Sequence, residues 1–213
     1  MTLEPNTSRT TPVPAGRPRR VQARVALALL EALRVQDLPP ELLDDENVSI
    51  TIPRRFGLSG VVDVQIRRYR EAASRRARIP ESEVVDLIRF VIRRPDADEV
   101  FHAAGRSLPG TPESPGWRRV LPARTAFALA RRKVNRSLRA LFGGPLVRVV
   151  GVPFELQAVH ELLVHADPGG DACALVTGLS QGVLDAYGVG SKVLRHSACR
   201  GRGDSHCLWA TES

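Results

Sequence analysis

The sequence predicts an α+β fold: a four-stranded antiparallel sheet with a crossing helix, covered by additional N-terminal helices. Three observations carry this expectation. The last third of the chain orders its patterns as strand, strand, helix, strand, strand. The region before it repeats apolar residues at helical spacing. Clusters of proline and glycine punctuate the segments.

Taken in order, residues 1–18 are rich in Thr, Pro, Ser and Arg without apolar periodicity, the composition of a disordered tail. Val21, Val25, Leu29 and Leu33 then mark one side of a helix that Pro39 and Pro40 stop. Alternation over residues 48–52 suggests a short strand ended by Pro53. Residues 60–78 read as an amphipathic helix with a densely basic outer side: Arg67, Arg68, Arg70, Arg75, Arg76 and Arg78. Acidic residues after Pro80 open a second helix whose inner face is Val84, Leu87, Ile88, Val91 and Ile92. A short helix is expected over residues 96–106, a loop over 107–116, and the longest helix over 117–142, closed by Gly143 and Gly144. Residues 146–152 and 157–164 suggest a hairpin. Asp171 is placed as the N-cap of a helix over 172–187, and residues 192–199 and 207–211 form the last two strands. This divides the chain into a tail (1–18), a basic helical region (19–104) and a C-terminal domain (105–213) that holds the sheet and all three cysteines.

At 213 residues, with 43% hydrophobic and 25% charged residues, the chain has the composition of a protein that can bury a core. Its net charge of +8 is carried almost wholly by arginine, which favours an acidic protein partner or a membrane surface beside the basic helices. A helix-turn-helix reading of residues 60–94 is disfavoured, because the basic side belongs to the first helix and the turn is marked by proline, so nucleic acid is not expected. No apolar run reaches the roughly 18 residues of a membrane span, and the first residues lack a secretory pattern. The expected compartment is the cytoplasm, where three cysteines favour metal ligation or inert burial over a disulfide framework.

All three cysteines fall between positions 173 and 207. A hairpin of the last two strands brings His196, Cys199 and Cys207 together, and the helix start offers Cys173 to the same point. Three thiolates and one imidazole make the closed tetrahedral set of a structural zinc site. A helix N-terminus would lower the Cys173 thiol pKa and favour ligation. Two alternatives stand beside this: the thiols could be small buried hydrophobes, and His206 competes as fourth ligand, although it would face away if Cys207 is in strand conformation.

Over residues 105–212, most clearly 151–209, the chain resembles the 4-vinyl reductase domain family, related to TRAPP trafficking subunits and to sensor domains of phenol- and xylene-responsive bacterial regulators. The likeness rests on Cys173, Gly178, Gly182, Cys199, Gly203, Asp204, Cys207 and Trp209. Zinc-containing members resemble a cysteine at the helix start, a glutamate 23 residues later, a cysteine three beyond and another eight further on. Those steps land on Cys173, His196, Cys199 and Cys207, with histidine in place of the glutamate.

The resemblance implies a zinc-stabilised, non-catalytic module that binds a small hydrophobic or aromatic ligand, acts as a sensor and forms a homodimer. Phe127, Phe142, Phe154 and Tyr187 are its candidate ligand-binding residues, with core packing as their alternative role. Other readings are an interaction or scaffold protein like the trafficking subunits, and an accessory protein of tetrapyrrole reduction. The sequence contains no nucleophile elbow, phosphate-binding loop or dinucleotide fingerprint to name an enzymatic chemistry. His160, Glu161 and His165 on the expected second strand form no acid-base pair, and Arg202, Gly203 and Asp204 read as part of a turn over the metal.

Overall fold

Four short strands in the last third build the sheet that positions the site. The computed structural model describes residues 19–37, 60–108, 121–160 and 162–211. Strands β3 (Val147–Gly151), β4 (Glu155–Ala158), β5 (Leu194–Ala198) and β6 (Leu208–Thr211) form an antiparallel sheet in the spatial order β3-β4-β6-β5. A two-stranded ribbon, β1 (Arg20–Gln22) with β2 (Arg78–Pro80), stands apart from it. The fold is α+β, with seven α-helices among the described residues.

Helix α1 (Ala23–Gln36) buries Val25, Leu29, Leu30 and Leu33, as its four-residue apolar spacing demands. Packed around it are α2 (Gly60–Ser74), α3 (Glu81–Val91) and α4 (Ala97–Ser107). Helix α5 (Ala123–Phe142) lies against β3, and α7 (Ala174–Ala186), the crossing helix, lies against β5. Between β4 and α7 comes the short α6 (Leu162–Ala166). A single apolar cluster runs from Val21 to Trp209 and includes Leu29, Phe101, Phe142, Leu156 and Leu179. Residues 104 and 105 both lie inside α4, so the sequence-based division at that point runs through a helix.

Helices α4 and α7 form the most extensive helix pair, and the reason is compositional. A Cβ on Gly105 would strike the backbone of Leu175, and one on Gly178 would strike the carbonyl oxygen of His102. Only two facing glycines let these backbones approach so closely, and the approach fixes where the start of α7 stands.

Several expectations are corrected. The helix expected over 60–78 ends at Ser74; Arg76 adopts a positive φ of 53°, which turns the chain so that residues 78–80 pair with residues 20–22 as strands. The second strand stops at Ala158 instead of continuing to 164. Leu162, Leu163 and Ala166 are buried at helical spacing, and the Leu162 N–H donates to Nδ1 of His160 at 3.2 Å, so an imidazole caps a helix where a strand was expected. His165 therefore sits on α6. Asp171 does not cap α7; it opens a single 3-10 turn, Asp171–Cys173. The tail, the possible strand at 48–52, residues 109–120 and Glu161 lie outside the described residues.

Candidate metal centre

Each ligand-bearing residue reaches the site on its own element. Cys173 ends the 3-10 turn and is the N-cap of α7. His196 lies in β5, one position before a bulge that shifts the register with β6. Cys199 precedes the 3-10 turn Arg200–Arg202, and Cys207 precedes β6. One ligand atom from each of these four residues lies within 4.8 Å of all the others, and the three thiols are free and buried. This cluster could hold a metal ion.

The dimensions fit that role. Tetrahedral Zn–S bonds of about 2.3 Å set sulfur atoms about 3.8 Å apart. The Cys173 and Cys207 Sγ atoms are 3.9 Å apart, far beyond bonding distance for a disulfide. The buried Nε2 of His196 has no hydrogen-bond partner among the described residues, which is costly unless a further group satisfies it. A cation bound by the imidazole would answer that cost.

Electrostatics points the same way. Burial pushes the Cys173 thiol well above its usual range, with Cys207 and Cys199 adding to the shift, so burial outweighs the helix N-terminus expected to lower it. Burial also raises Cys207, while the Arg200 N–H, donating to Cys207 Sγ at 3.4 Å, acts in the opposite direction. Burial, and then the charge of Arg202, lowers His196 to about 4, leaving a neutral imidazole with a lone pair to donate. Cys173 and Cys207, which resist ionisation on their own, become good ligands once a divalent cation supplies the missing charge.

The surrounding residues hold the ligands in place. Asp204 Oδ2 accepts the Cys199 N–H at 2.6 Å, and the Asp204 N–H donates to the Cys199 carbonyl at 3.1 Å. Trp209 stacks on His196 at 4.8 Å between ring centroids. Asp167, which is 2% exposed, takes the N–H of Gly169 on Oδ1 and that of Ala172 on Oδ2, tying down the loop into Cys173. At Gly170 the backbone has φ 91°, and a Cβ would press on Cys199 Sγ, so this loop closes directly over the cluster. The roles of Asp167 and Trp209 were not foreseen from sequence. Asp167 stands in a Pro-Gly-Gly turn, and that position was the available signal.

His206, the competing ligand, is outside the cluster; its Nδ1 lies 2.7 Å from Ser205 Oγ. Phe142 and Phe154 are fully buried, Phe127 is nearly so and Tyr187 is half-buried. None of the four lines the cleft of about 560 Å3 beside the metal cluster. Asp98, Glu99, His102 and Arg106 of α4 form one wall of it, and Thr177, His196 and Arg202 contribute to the other side. No helix among the described residues is long and apolar enough to cross a membrane.

No protein-family model, curated protein or solved structure matches the chain.

Proposed function

We propose that the chain is a zinc-stabilised small-molecule binding module of the sensor type, with no catalytic role for the metal. The observation that carries this reading is the closed Cys3His cluster joining the start of α7 to the hairpin of β5 and β6. Three soft thiolates and one imidazole favour zinc, and four protein ligands fill its tetrahedral positions. The 4-vinyl reductase likeness supplies the ligand class, a hydrophobic or aromatic small molecule. Its place in this reading is the cleft beside the metal. The polar wall of His102, Arg106 and Thr177 favours an aromatic ring carrying a hydroxyl over a bare hydrocarbon. Homodimerisation belongs to the same reading, and β3 is a sheet-edge strand with exposed Val149 and Val150.

A scaffold role for the basic helices has less support. On α2 and just past its end, Arg68, Arg70 and Arg75 are paired with Glu83, Glu31 and Glu71, so much of that charge is already answered within the chain.

Two measurements test the proposal. Elemental analysis is expected to return one zinc per chain, and a chelator to lower Tm; a stable, metal-free protein would refute the zinc. A thermal-shift screen of phenols is expected to yield a compound that, at a hundredfold excess over Kd, stabilises by about 2.7 kcal/mol, roughly 5–10 °C for a chain of this size. A screen of phenols and alkylbenzenes without any shift would sink the sensor reading while leaving the metal intact.

A further inference from the structure

The β1–β2 ribbon meets the C-terminus of α5 around a shallow cleft of about 740 Å3. Arg19, Arg20, Arg78 and Arg139 line it, and no carboxylate is among its described lining residues. Two of these arginines build the walls. Arg78 donates from Nη1 to the Arg20 carbonyl at 3.0 Å and from Nη2 to the Ala140 carbonyl at 2.9 Å, and Arg20 Nη2 donates to the Arg78 carbonyl at 2.7 Å.

The other two are not engaged in this way. Nη1 of Arg19 is buried without a hydrogen-bond partner among the described residues. The Arg139 side chain is exposed and makes no hydrogen bond or ion pair with another described residue. The floor is shaped for Arg19: a Cβ on Gly144 would strike its guanidinium, and one on Gly143 would press on the Arg20 carbonyl. The negative end of α5 brings only about half a charge, and the Ala140 carbonyl there is already taken by Arg78. Four guanidiniums outweigh it, and their mutual repulsion is relieved by an anion.

We infer that this cleft binds a phosphate-bearing anion, carried either by a soluble phosphate compound or by a lipid headgroup. Guanidinium forks match phosphate oxygens in pairs, and a multiply charged tetrahedral group can engage several forks at once. A single planar carboxylate satisfies one fork and leaves the remaining charge unanswered.

The test is calorimetric titration of the full chain with inorganic pyrophosphate at about 0.15 M ionic strength, where diffuse charge effects are screened. Saturable one-to-one binding is expected, weakened about tenfold or more by Arg19→Gln and by Arg139→Gln, since each removes charge-assisted hydrogen bonds. Arg75→Gln, which removes the same unit of charge just past the end of α2, should leave it within about twofold. Arg139 lies on the exposed side of α5, so its variant should keep the parent Tm and remain informative if Arg19→Gln fails to fold. A second arm sediments the protein with phosphatidylcholine vesicles with and without phosphatidate. Retention only with phosphatidate, lost in Arg139→Gln, assigns a headgroup; pyrophosphate binding without vesicle retention assigns a soluble phosphate. The inference is overturned if neither probe binds or if Arg75→Gln weakens binding as much as Arg139→Gln. Capture of a single-stranded oligonucleotide without any response to pyrophosphate or phosphatidate would also overturn it.

Discussion

His196 is the side chain on which the identity of the metal centre turns, because it stands where the resembling family carries a glutamate. A carboxylate oxygen and an imidazole nitrogen are interchangeable zinc donors, but a methyl group is not one. His196→Glu is therefore predicted to retain one metal per chain, His196→Ala to lower affinity severely, and His206→Ala to leave metal content unchanged. Metal content after dialysis against a weak chelator distinguishes the three. Tyr69 offers an independent test away from the metal. Its hydroxyl donates to Glu83 Oε2 at 3.0 Å, and burial, followed by Glu83, pushes it up to about 12. The folded state holds this proton after the unfolded phenol, near 10, has lost it. The resulting stability is thus present in full below about pH 10 and is lost between about pH 10 and 12, by on the order of 2 kcal/mol. Urea midpoints of Tyr69→Phe should fall less steeply than those of the parent over that window; parallel curves would contradict the assignment. At this scale the sequence was most legible where residue types were rarest. Three cysteines and one suitably spaced histidine named the cluster, whereas Asp167 and Trp209 belong to it only through a loop closure and a stacking contact that no spacing announces.

Among the elements, the crossing of α4 over α7 makes the most specific demand. Gly178→Ala places a methyl group against the His102 carbonyl, and the two helices must part to admit it. The expected cost is about 1–3 kcal/mol, read as a lowered denaturant midpoint with unchanged slope. An unchanged midpoint would show that the crossing is looser than described. The same scale shows why some elements could be read and others could not. Helix α1 and the strand pair β5 and β6 carry their own periodicity. Helix α6 does not, because it is only five residues long and follows closely on β4, and it owes its start to the ring of His160 and its direction to three buried side chains. The β1–β2 ribbon was hidden for a similar reason: each strand has only three residues, and its partner lies far along the chain, Arg20 opposite Pro80 and Gln22 opposite Arg78.

For the molecule as a whole, a metal ion held by the Cys3His cluster would join the start of α7 to the β5–β6 hairpin within a core that is otherwise continuous. Helix α7 is held by α4, α4 by α1, and the hairpin by α7, so loosening the clasp weakens every layer together. Calorimetry is accordingly predicted to show one transition with metal and one without, the latter at lower Tm. A chelated protein that melts in two steps would mean that the helical layer folds without the sheet. The central claim is the clasp itself, and X-ray absorption at the zinc edge of the purified chain tests it most directly. The predicted first shell is three sulfur atoms at about 2.3 Å and one nitrogen at about 2.0 Å. A shell of oxygen and nitrogen alone, or no bound zinc in a folded chain, would contradict it.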